Sequence, residues 1–588
     1  MKRVPIIAAV AVVATLTPMA AFTSISAGSA ATFASHHARA SVTYHGTRGE
    51  ATRLAHVSSM SKLPAVRQGL TPRQLWHLAA AKTFRASARP DRAARVAQAR
   101  ARKAGTVDRL RGAADAGPVV HNFNGLSDTT VFGFFGQDAP ITPPDQGLCV
   151  GNDATLPGDP KAVFEPINIA VRETTPDGTL LRPDVDGRTF YQNPFSEGDV
   201  RCVYDPSTQT FFFTELGFPV GTGPAADFNN DTDDVVVMNA HGVAMYQFDA
   251  SQGGNCFADQ DKVGFDNNAL VISTDQFCDP NEDDFEGALL VVISKSQLVN
   301  EDATVSDATV GPLSLAGSPV TALDPAIDTG SGQEYLVNSV PRLADGFTPN
   351  PAGDTLGVWT LQNTASVTTG TGTPTAAGTV VPSEQYTFPV PAASTGDGST
   401  FSDPPWTITS EPALDPGDAR TSGPVNVTRG PYGIRLWTAI DTAVTPAGAS
   451  APQDAAAWFE INPVSPGIVR QGYVTAPNGD SLLYPAIAVC RLGTAAMTFS
   501  ITGSAVNPSA AYTTIGSHAI TIAAAGNAPH ESFTDVPPFN TPRWGDYSWA
   551  VADPDNGGVW LATEYIPPPA FQAEVDNWGT DVFEVNGP

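Results

Sequence analysis

A short pattern of two apolar strands around a small polar turn recurs along the last four-fifths of this chain. Most copies begin with an aromatic residue or an Asp-Pro pair, as in YDPSTQTFFFTEL. The clear copies are Cys202–Leu216, Gly264–Phe277, Ala326–Val340, Tyr484–Ile501 and Trp549–Tyr565, and two weaker ones are Gly147–Asn168 and Val427–Asp441. Copies at intervals of roughly 50 to 85 residues are typical of repeat architectures, in which no unit buries its own faces alone.

The sequence after Pro118 indicates β-structure throughout. Gly, Pro, Asp, Asn and Thr separate short apolar runs, residues alternate with period two, and long helical periodicity is absent. Seven copies over 470 residues give about 67 residues per unit, which fits a four-stranded blade. The sequence therefore predicts an all-β fold, a single β-propeller, with seven blades favoured and six or eight as alternatives. We expect the last strand, Asp581–Gly587, to pair with the first blade and close the ring.

Charge divides the chain into two unequal parts. Residues 1–118 contain 18 Lys+Arg and 4 Asp+Glu, a balance of +14, whereas the other 470 residues contain 14 and 56, a balance of −42. Binding to nucleic acid or to anionic membranes is disfavoured for the acidic part, because both carry charge of the same sign. Three segments are predicted: a signal peptide at 1–34, a basic Ala- and Arg-rich leader or propeptide at 35–117, and the β-propeller at 118–588.

The N-terminus has the features of an export signal. Lys2 and Arg3 precede an apolar run, Ile6–Leu16, which is shorter than the ~20 residues that span a bilayer. The mature protein is expected to be secreted, extracellular or cell-wall associated, without a membrane span. The leader is expected to be helical or disordered, with a helix start at Thr71, and to contribute little to stability. The alternative is a propeptide or a tether to anionic cell-wall polymer.

All five cysteines lie in the exported part of the chain, where disulfides can form. Cys149 and Cys202 lie on the first two copies of the repeat and are expected to pair. Cys256 and Cys278 flank the third copy and form the second expected pair. Cys490 is then the unpaired thiol, buried in a strand.

An acidic run, DFNNDTDD, places side-chain oxygens at alternate positions. Asp227, Asn229, Asp231 and Asp233 are the candidate ligands of one structural Ca²⁺, which takes six to eight oxygens. The glycine and the terminal glutamate of an EF-hand are missing, so the alternative is a solvated acidic loop. No dinucleotide, phosphate-loop or zinc-protease motif is present. Structural calcium is therefore the only cofactor that the sequence suggests.

Four segments resemble a family of secreted bacterial β-propeller proteins that are broadly sialidase-like in architecture. They are TPPDQGLCVGN (Thr142–Asn152), YDPSTQTFFFTEL (Tyr204–Leu216), YPAIAV (Tyr484–Val489) and RWGDYSWAVADP (Arg543–Pro554). The resemblance covers nearly everything after residue 118 and implies the propeller fold, but it names no substrate. The Asp-box pattern SxDxGxxW of sialidases is missing, and no arginine triad can be assigned, which puts sialidase activity in doubt.

Chemistry by carboxylates is the catalysis that the sequence leaves open. A glycosidase needs two acids about 5 Å or about 6.5–9.5 Å apart, and the two strongest motifs contain acids. The candidate catalytic residues are Asp145, Arg543, Asp546, Tyr547 and Glu564. The alternative is structural: Arg543 and Asp546 pair to fix a turn, and Tyr547 packs between blades.

Two functions remain open. The leading hypothesis is a secreted binding or scaffold module without catalysis, whose partner is a glycan or a cell-surface protein. The alternative is a glycan-active hydrolase or lyase that uses carboxylates in the central cleft of the propeller. An acidic pair with an arginine at one mouth of the channel favours the enzyme, whereas a channel lined by small or apolar residues favours the scaffold. The sequence leaves the oligomeric state open.

Overall fold

The repeats of the sequence fold into antiparallel strands. The computed structural model describes residues 41–66, 117–135, 142–218, 231–278, 284–339, 352–403, 406–421, 423–446, 449–517, 519–532, 541–572 and 577–586. All of them belong to the unit Ala40–Pro588. The predicted signal peptide at 1–34 and the predicted helix start at Thr71 lie outside the described residues.

Strands dominate the described residues. The strands of the first half are β1 (Ser41–His45), β2 (Thr47–Val57), β3 (Val119–Ser127), β4 (Cys149–Asn152), β5 (Lys161–Ile167), β6 (Ala170–Thr174), β7 (Val185–Asp186), β8 (Ser196–Asp205), β9 (Thr210–Gly217), β10 (Thr232–Asn239), β11 (Gly242–Asp249), β12 (Cys256–Phe265), β13 (Ala269–Cys278), β14 (Asp284–Ser294), β15 (Thr304–Val310), β16 (Ser314–Leu315), β17 (Ser318–Pro319) and β18 (Asp324–Ile327).

The strands of the second half are β19 (Glu334–Ser339), β20 (Ala352–Gln362), β21 (Thr375–Thr387), β22 (Ala392–Ala393), β23 (Thr400–Asp403), β24 (Trp406–Ser410), β25 (Ala413–Leu414), β26 (Val425–Gly430), β27 (Gly433–Val444), β28 (Gln453–Asn462), β29 (Gly467–Val474), β30 (Ser481–Val489), β31 (Ala495–Gly503), β32 (Val506–Thr514), β33 (Thr521–Ala524), β34 (Glu531–Ser532), β35 (Trp549–Ala552), β36 (Gly558–Tyr565) and β37 (Gly579–Asn586). The short helices are α1 (Asp128–Phe135), α2 (Gly187–Tyr191), α3 (Lys295–Val299) and α4 (Ser366–Thr369), with 3₁₀ turns at Met60–Lys62, Pro477–Gly479 and Pro569–Phe571.

The pairing of these strands defines a β-propeller. Within the described residues, seven groups of four antiparallel strands follow one another: β4–β7, β8–β11, β12–β15, β18–β21, β26–β29, β30–β33 and β35–β37 with β3. The first strand of a group lies beside the first strand of the next group. Where β18 and β26 pair directly, they run parallel. The predicted all-β propeller is thus confirmed.

The ring closes through the two ends of the described chain. β37 pairs with β36 on one side and with β3 on the other, so the last group contains strands more than 450 residues apart in sequence, from Phe123 to Val582. The predicted closing strand therefore pairs within its own group, and β3 supplies the fourth strand. Both ends of the chain then hold the same sheet together.

Apolar side chains pack between neighbouring groups, because the faces of each sheet are covered by the next sheet. Successive residues of β9 point in opposite directions: Phe211 and Phe213 pack against the first group, and Phe212 packs against the third. A cluster of the same kind joins each consecutive pair of groups, including the last group with the first. The residues predicted to be buried between blades are buried: Phe211, Phe213, Val271, Leu336, Ile487 and Trp560.

The recurring aspartate of the sequence pattern closes the turn after the first strand. In four groups its Oδ1 accepts a hydrogen bond from the backbone N–H two residues later, which is the geometry of an Asx turn. These aspartates are Asp153 (2.8 Å), Asp205 (2.9 Å), Asp266 (2.7 Å) and Asp553 (2.9 Å). The repeat therefore keeps Asp for a local hydrogen bond rather than for chemistry.

Both predicted disulfides are present. Cys149 and Cys202 link the first strands of the first two groups, and Cys256 pairs with Cys278 across β12 and β13. Cys490 is a buried free thiol directly after β30. Among the described residues, no helix is long and apolar enough to cross a membrane.

Part of the predicted leader belongs to the propeller. β1 pairs with β21, and β2 lies between the outer strands β15 and β11, whose free edges it joins. Ala51 of β2 is buried in the apolar cluster between the second and third groups. The boundary expected at residue 117 is therefore not where pairing with the propeller starts. The basic composition of this segment gave no sign of β2, which pairs with the edge strands of two sheets. Residues 67–116 lie outside the described part of the chain.

Removal of residues 1–66 is expected to destabilise the propeller, contrary to the expectation that the leader adds little. The loss exposes the edges of β11, β15 and β21, and we expect the melting temperature to fall by more than about 5 °C, the scale of a ~5 kcal/mol effect in a chain of this size. The measurement is thermal unfolding of the truncated chain. A chain that begins at Ala40 is the control and should melt like the full-length chain; equal melting of both truncations would contradict the role of β1 and β2.

Candidate active site

Residues with left-handed backbone conformation stand at the start of the first strands. They occur in six of the seven groups within the described residues: Asp145 (φ 49°), Asp199 (φ 58°), Gln260 (φ 55°), Ala322 (φ 48°), Tyr484 (φ 53°) and Gly545 (φ 61°). A positive φ is uncommon for a residue other than glycine, and within a strand it marks a bulge that redirects a side chain. Bulges occur here in β8, β12 and β30.

These starts meet around the axis of the ring. Before β26, Arg420 donates a hydrogen bond to the side chain of Gln260 on β12, although one whole group separates the two in sequence. The Tyr547 hydroxyl donates to the carbonyl of Val200, from the last group to the second (3.0 Å). Polar side chains from distant parts of the chain therefore share one end of the central channel.

Three carboxylates converge at this end. One oxygen from each of Asp145, Asp199 and Asp546 lies within 4.8 Å of the others. The backbone N–H of Asp546 donates to Asp145 Oδ1, and the Asn168 side-chain amide donates to Asp145 Oδ2, both at 2.8 Å. Asn168 also accepts from the backbone N–H of Asp199 (2.8 Å), so one amide fixes two of the acids.

Asp145 is an acid whose pKa lies near neutrality, far above its usual range. Its pKa is raised to about 7; burial is the largest cause, the Asp546 carboxylate adds to it, and Arg543 opposes it. Burial disfavours the charged form, and a second carboxylate at this distance does the same. Two neighbouring acids in such different surroundings can carry a proton donor and a negative charge at the same pH.

Arg543 stabilises a negative charge on Asp546. The two side chains form an ion pair three residues apart, and both remain slightly exposed, 13% and 16%. Tyr484 lies close enough to interact with both residues, and burial is the main cause of its strongly raised pKa. The Arg543–Asp546 pair is therefore the solvent-facing edge of the carboxylate group, and Asp145 lies behind it.

The two other sequence candidates have different surroundings. The guanidinium of Arg201 stacks on the ring of Tyr547, 3.3 Å from the ring centroid, and the Tyr547 hydroxyl donates to the carbonyl of Val200. Tyr547 is therefore held by packing and by a hydrogen bond and does not point its hydroxyl at the three carboxylates. Glu564 lies in β36, with Oε2 3.3 Å from the place where a Cβ on Gly545 would stand. The structure thus brings Asp145, Arg543 and Asp546 together and leaves Glu564 at the edge of the group.

Sequence reasoning missed the residues that come from other groups. Asp199, Arg201, Lys262 and Arg420 all belong to this end of the channel, yet none of them lies in a motif that suggests chemistry. Asp199, Arg201 and Lys262 share one signal, a position a few residues before the turn aspartates Asp205 and Asp266, whereas Arg420 precedes a group whose turn has no aspartate. That spacing identifies the bulge but not what its side chain faces.

The predicted calcium ligands are only partly described. Asp227 and Asn229 lie outside the described residues. Asp231 Oδ2 accepts a hydrogen bond from the backbone N–H of Ala258 (2.7 Å), and Asp233 lies inside β10. Both are buried, so they belong to the sheet rather than to a solvated loop. Calcium binding here stays a prediction.

The carboxylate group at the channel end is a second place where a cation could bind. Three carboxylate oxygens at this spacing suit a hard divalent ion. The guanidinium of Arg543 already neutralises one of the three acids, and Asp145 accepts hydrogen bonds through both of its oxygens. These contacts occupy carboxylate oxygens that a cation would need. The arrangement therefore suits two acids that exchange a proton better than it suits the coordination of a metal ion.

Comparisons with known proteins give no family. No family model and no curated protein matches the chain. Solved structures that are similar include a GH43_1 enzyme from Xanthomonas citri complexed with xylotriose (12% identity, 55% of this chain and 86% of that chain, TM-score 0.24). Others are an α-L-arabinanase from Penicillium chrysogenum (11%, 66% and 96%, TM-score 0.32) and the subtype N11 neuraminidase-like protein of the H18N11 isolate A/flat-faced bat/Peru/033/2010 (10%, 61% and 96%, TM-score 0.28). At this level of similarity, function has to be argued from the residues of the site.

Charge removal at Asp233 is expected to stabilise the protein in the absence of calcium. Neither carboxylate oxygen of Asp233 has a hydrogen-bond partner among the described residues, and burial, with Asp261 and Asp234 nearby, raises its pKa well above the usual value. A raised pKa in the folded state makes ionisation costly, so the penalty grows as the pH rises above the unfolded value near 3.8. Asp233→Asn should therefore melt higher than the wild type at pH 7.

The gain from Asp233→Asn should shrink towards pH 4, because the wild-type carboxyl then begins to be protonated in the unfolded state as well. Thermal unfolding at both pH values in chelator measures it, with the exposed Asp177→Asn as the control. If calcium stabilises the wild type but not Asp233→Asn, the predicted calcium site holds. A variant that is less stable than the wild type in chelator at pH 7 would contradict the unfavourable charge.

Proposed function

We propose that this protein hydrolyses glycosidic bonds with a pair of carboxylates at one end of the propeller channel. The observation that carries the proposal is the contrast between two adjacent acids. Burial raises the pKa of Asp145 to about 7, whereas Asp546, next to it, is paired with Arg543. General acid catalysis needs a donor whose pKa lies near the working pH, and a carboxylate beside it stabilises the oxocarbenium-like transition state.

The spacing of the two acids supports a double-displacement reaction. Retaining glycosidases place their carboxyl groups about 5–5.5 Å apart, and inverting ones about 6.5–9.5 Å apart to admit a water. Oxygens of Asp145 and Asp546 lie within 4.8 Å of each other. In the proposed reaction, Asp145 protonates the leaving oxygen and Asp546 attacks the anomeric carbon. Asp145 then takes the proton of the water that releases the sugar.

The surroundings supply the remaining requirements. The Arg543–Asp546 pair faces solvent, so a substrate meets the nucleophile first. Arg543 lies close enough to interact with Asp145 and Asp546 and favours negative charge on either acid. Asn168 fixes the positions of Asp145 and Asp199, because it donates to the Asp145 carboxylate and accepts from the backbone N–H of Asp199. An acidic pair with an arginine at one mouth was the feature expected of an enzyme rather than of a scaffold.

The opposite end of the channel has a different character. A cavity of about 400 Å³ is lined there by the ends of the first strands, with apolar residues such as Val150, Val203 and Val489 beside the charged side chains of Asp328, Arg429, Arg491 and Asp553. This lining fits the binding or scaffold hypothesis, because apolar cavities with a few polar groups are common ligand sites. Binding at this end is compatible with chemistry at the other.

Replacement of either acid is expected to abolish glycoside hydrolysis. Asp145→Asn and Asp546→Asn should each lower kcat/KM on the best substrate of a chromogenic glycoside panel by about 10²–10⁴-fold, the range of general acid–base catalysis. Asp159→Asn is the matched control, because Asp159 is exposed and has the same left-handed backbone (φ 47°) as Asp145. NMR of the first product should show retention at the anomeric carbon.

Melting temperatures of the three variants separate lost chemistry from lost folding. If the wild type hydrolyses no glycoside of the panel, while the folded variants still bind glycans, the proposed hydrolase activity is wrong. The binding-module hypothesis then stands.

The activity is expected to fall as the pH rises through about 7, where Asp145 loses its proton. Below this pH the buried carboxyl can donate to the leaving oxygen, and above it the donor is lost. The measurement is kcat/KM against pH for an active substrate, with stability checked at each pH. Asp159→Asn should give the wild-type profile. A rate that stays constant between pH 6 and pH 8 would exclude Asp145 as the acid.

A further inference from the structure

Asn426 is a buried amide with an unused acceptor in the cavity opposite the carboxylates. It lies on β26, is 7% exposed and lines the cavity. Its Nδ2 donates to the carbonyls of Ile487 on β30 and Ala550 on β35, both at 2.9 Å. These two carbonyls fix the orientation of the amide, because only its NH₂ group can donate to them.

The oxygen of this amide calls for a donor. In the part of the chain that the structure describes, no group donates to Asn426 Oδ1, although the side chain reaches two neighbouring groups of the propeller. A buried acceptor costs free energy unless a hydrogen-bond donor reaches it. A ligand that places an O–H or N–H group in the cavity would therefore meet an acceptor already held in position.

An aromatic ring lies at the same cavity. Tyr204, at the end of β8, lines it and is partly exposed. The ring packs against Gly151, where a Cβ would stand 2.5 Å from three ring atoms, and its centroid lies 4.5 Å from that of Phe211. The ring is therefore fixed by its neighbours and offers an apolar surface without rearrangement.

Arg429 and Asp328 add donors and acceptors to the lining. Arg429 is 48% exposed and Asp328 is 32% exposed, and the two form an ion pair at 2.5 Å. Arg429 Nε also donates to the carbonyl of Thr329 (3.2 Å), and a Cβ on Gly330 would collide with the guanidinium. Glycine at this position thus makes room for the arginine beside the cavity.

The charges at the cavity are balanced in number. Lys161 pairs with Asp553 (2.5 Å) and Asp555 (3.3 Å), and Arg429 pairs with Asp328. With Arg491, which also lines the cavity, three positive side chains face three negative ones. The cavity therefore has polar groups for hydrogen bonds but no excess charge that would select an ionic ligand.

We propose that this cavity binds one neutral sugar residue. A sugar ring has an apolar C–H face for Tyr204, and it has hydroxyls that can donate to Asn426 Oδ1 and bond to Arg429 and Asp328. The volume of about 400 Å³ lies within the range of about 300–1,000 Å³ that is usual for ligand sites. The site goes beyond the proposed hydrolysis, because it lies at the other end of the channel and needs no catalysis.

The test is sugar binding by a chain that cannot hydrolyse its ligand. Methyl glycosides of glucose, galactose, xylose and arabinose are titrated against Asp145→Asn, and binding is measured by saturation-transfer difference NMR. At least one of them should bind saturably. Cyclohexanol, which keeps an apolar ring but has a single hydroxyl, should bind at least about tenfold more weakly than the best glycoside.

Variants of the lining assign the binding to this cavity. In the same background, Arg429→Gln should weaken it by about tenfold, the loss of a hydrogen bond to a charged group. Arg470→Gln is the matched control, because Arg470 is 58% exposed and paired with Glu460 on the outer strand β29. Tyr204→Leu should weaken binding by about 2–10-fold, whereas Tyr204→Phe, which keeps the ring, should bind within about twofold of the parent chain.

Deoxy sugars test the bond to Asn426 without a change in the protein. Among the monodeoxy derivatives of the best glycoside, one should bind at least about tenfold more weakly, because it leaves Oδ1 without its donor. Equal binding of all the derivatives would contradict this bond. Melting temperatures of all variants confirm that the weakened chains are folded.

The outcomes separate this site from the proposed catalysis. No saturable binding of any of the four glycosides, or equal binding by Arg429→Gln and Tyr204→Leu, overturns the sugar site. Tighter binding of glucuronate or cyclohexanol that Arg429→Gln weakens would identify an acidic or apolar ligand and overturn the neutral sugar. A wild type that hydrolyses no glycoside but keeps the Arg429-dependent binding would contradict only the catalytic proposal.

Discussion

The pairing of β3 with β37 is the constraint on which the rest of the structure depends. Val119 and Phe123, near the start of the propeller, lie opposite Val585 and Val582, near its end. The buried Glu165 of the first group reinforces the junction, because it accepts from the backbone N–H of Leu126 at 2.8 Å. Asp145 and Asp546 are 401 residues apart, and they meet only because this junction closes the ring. Folding and the candidate active site therefore depend on the same contact.

The elements that the sequence predicts correctly are those with local causes. The alternation in FFFTEL places Phe211 and Phe213 on one face and Phe212 on the other, as a pleated strand requires. The turn aspartates follow from a hydrogen bond to a residue two positions away. Asp145, Arg543 and Asp546 could be singled out because they lie in compact motifs of unusual composition. For the same reason the disulfide of Cys256 and Cys278, on adjacent strands, was accessible from spacing.

The elements that the sequence does not reveal have partners far away in the chain. β2 looks like part of a basic leader, and only the open edges of β11 and β15 make it a strand. Nothing near Arg201 in sequence indicates that Tyr547, almost 350 residues later, will cover its guanidinium. In the sequence, nothing distinguishes Asp199 from the many other acids. In the structure, the bulge of β8 and the hydrogen bond to Asn168 place it beside Asp145. Function in this fold arises where seven strand starts meet, and no single repeat contains that information.

The left-handed residues explain how one blade design can carry different side chains into the channel. A regular strand alternates its side chains between the two neighbouring blades, so a change of residue disturbs the packing of the ring. The bulge breaks the alternation at one position and directs that side chain towards the axis instead. Asp199, Gln260 and Tyr484 occupy this position in three groups, and they differ in size, charge and hydrogen bonding. The blades can keep their apolar contacts while the chemistry at the axis changes, because different residues carry the two requirements.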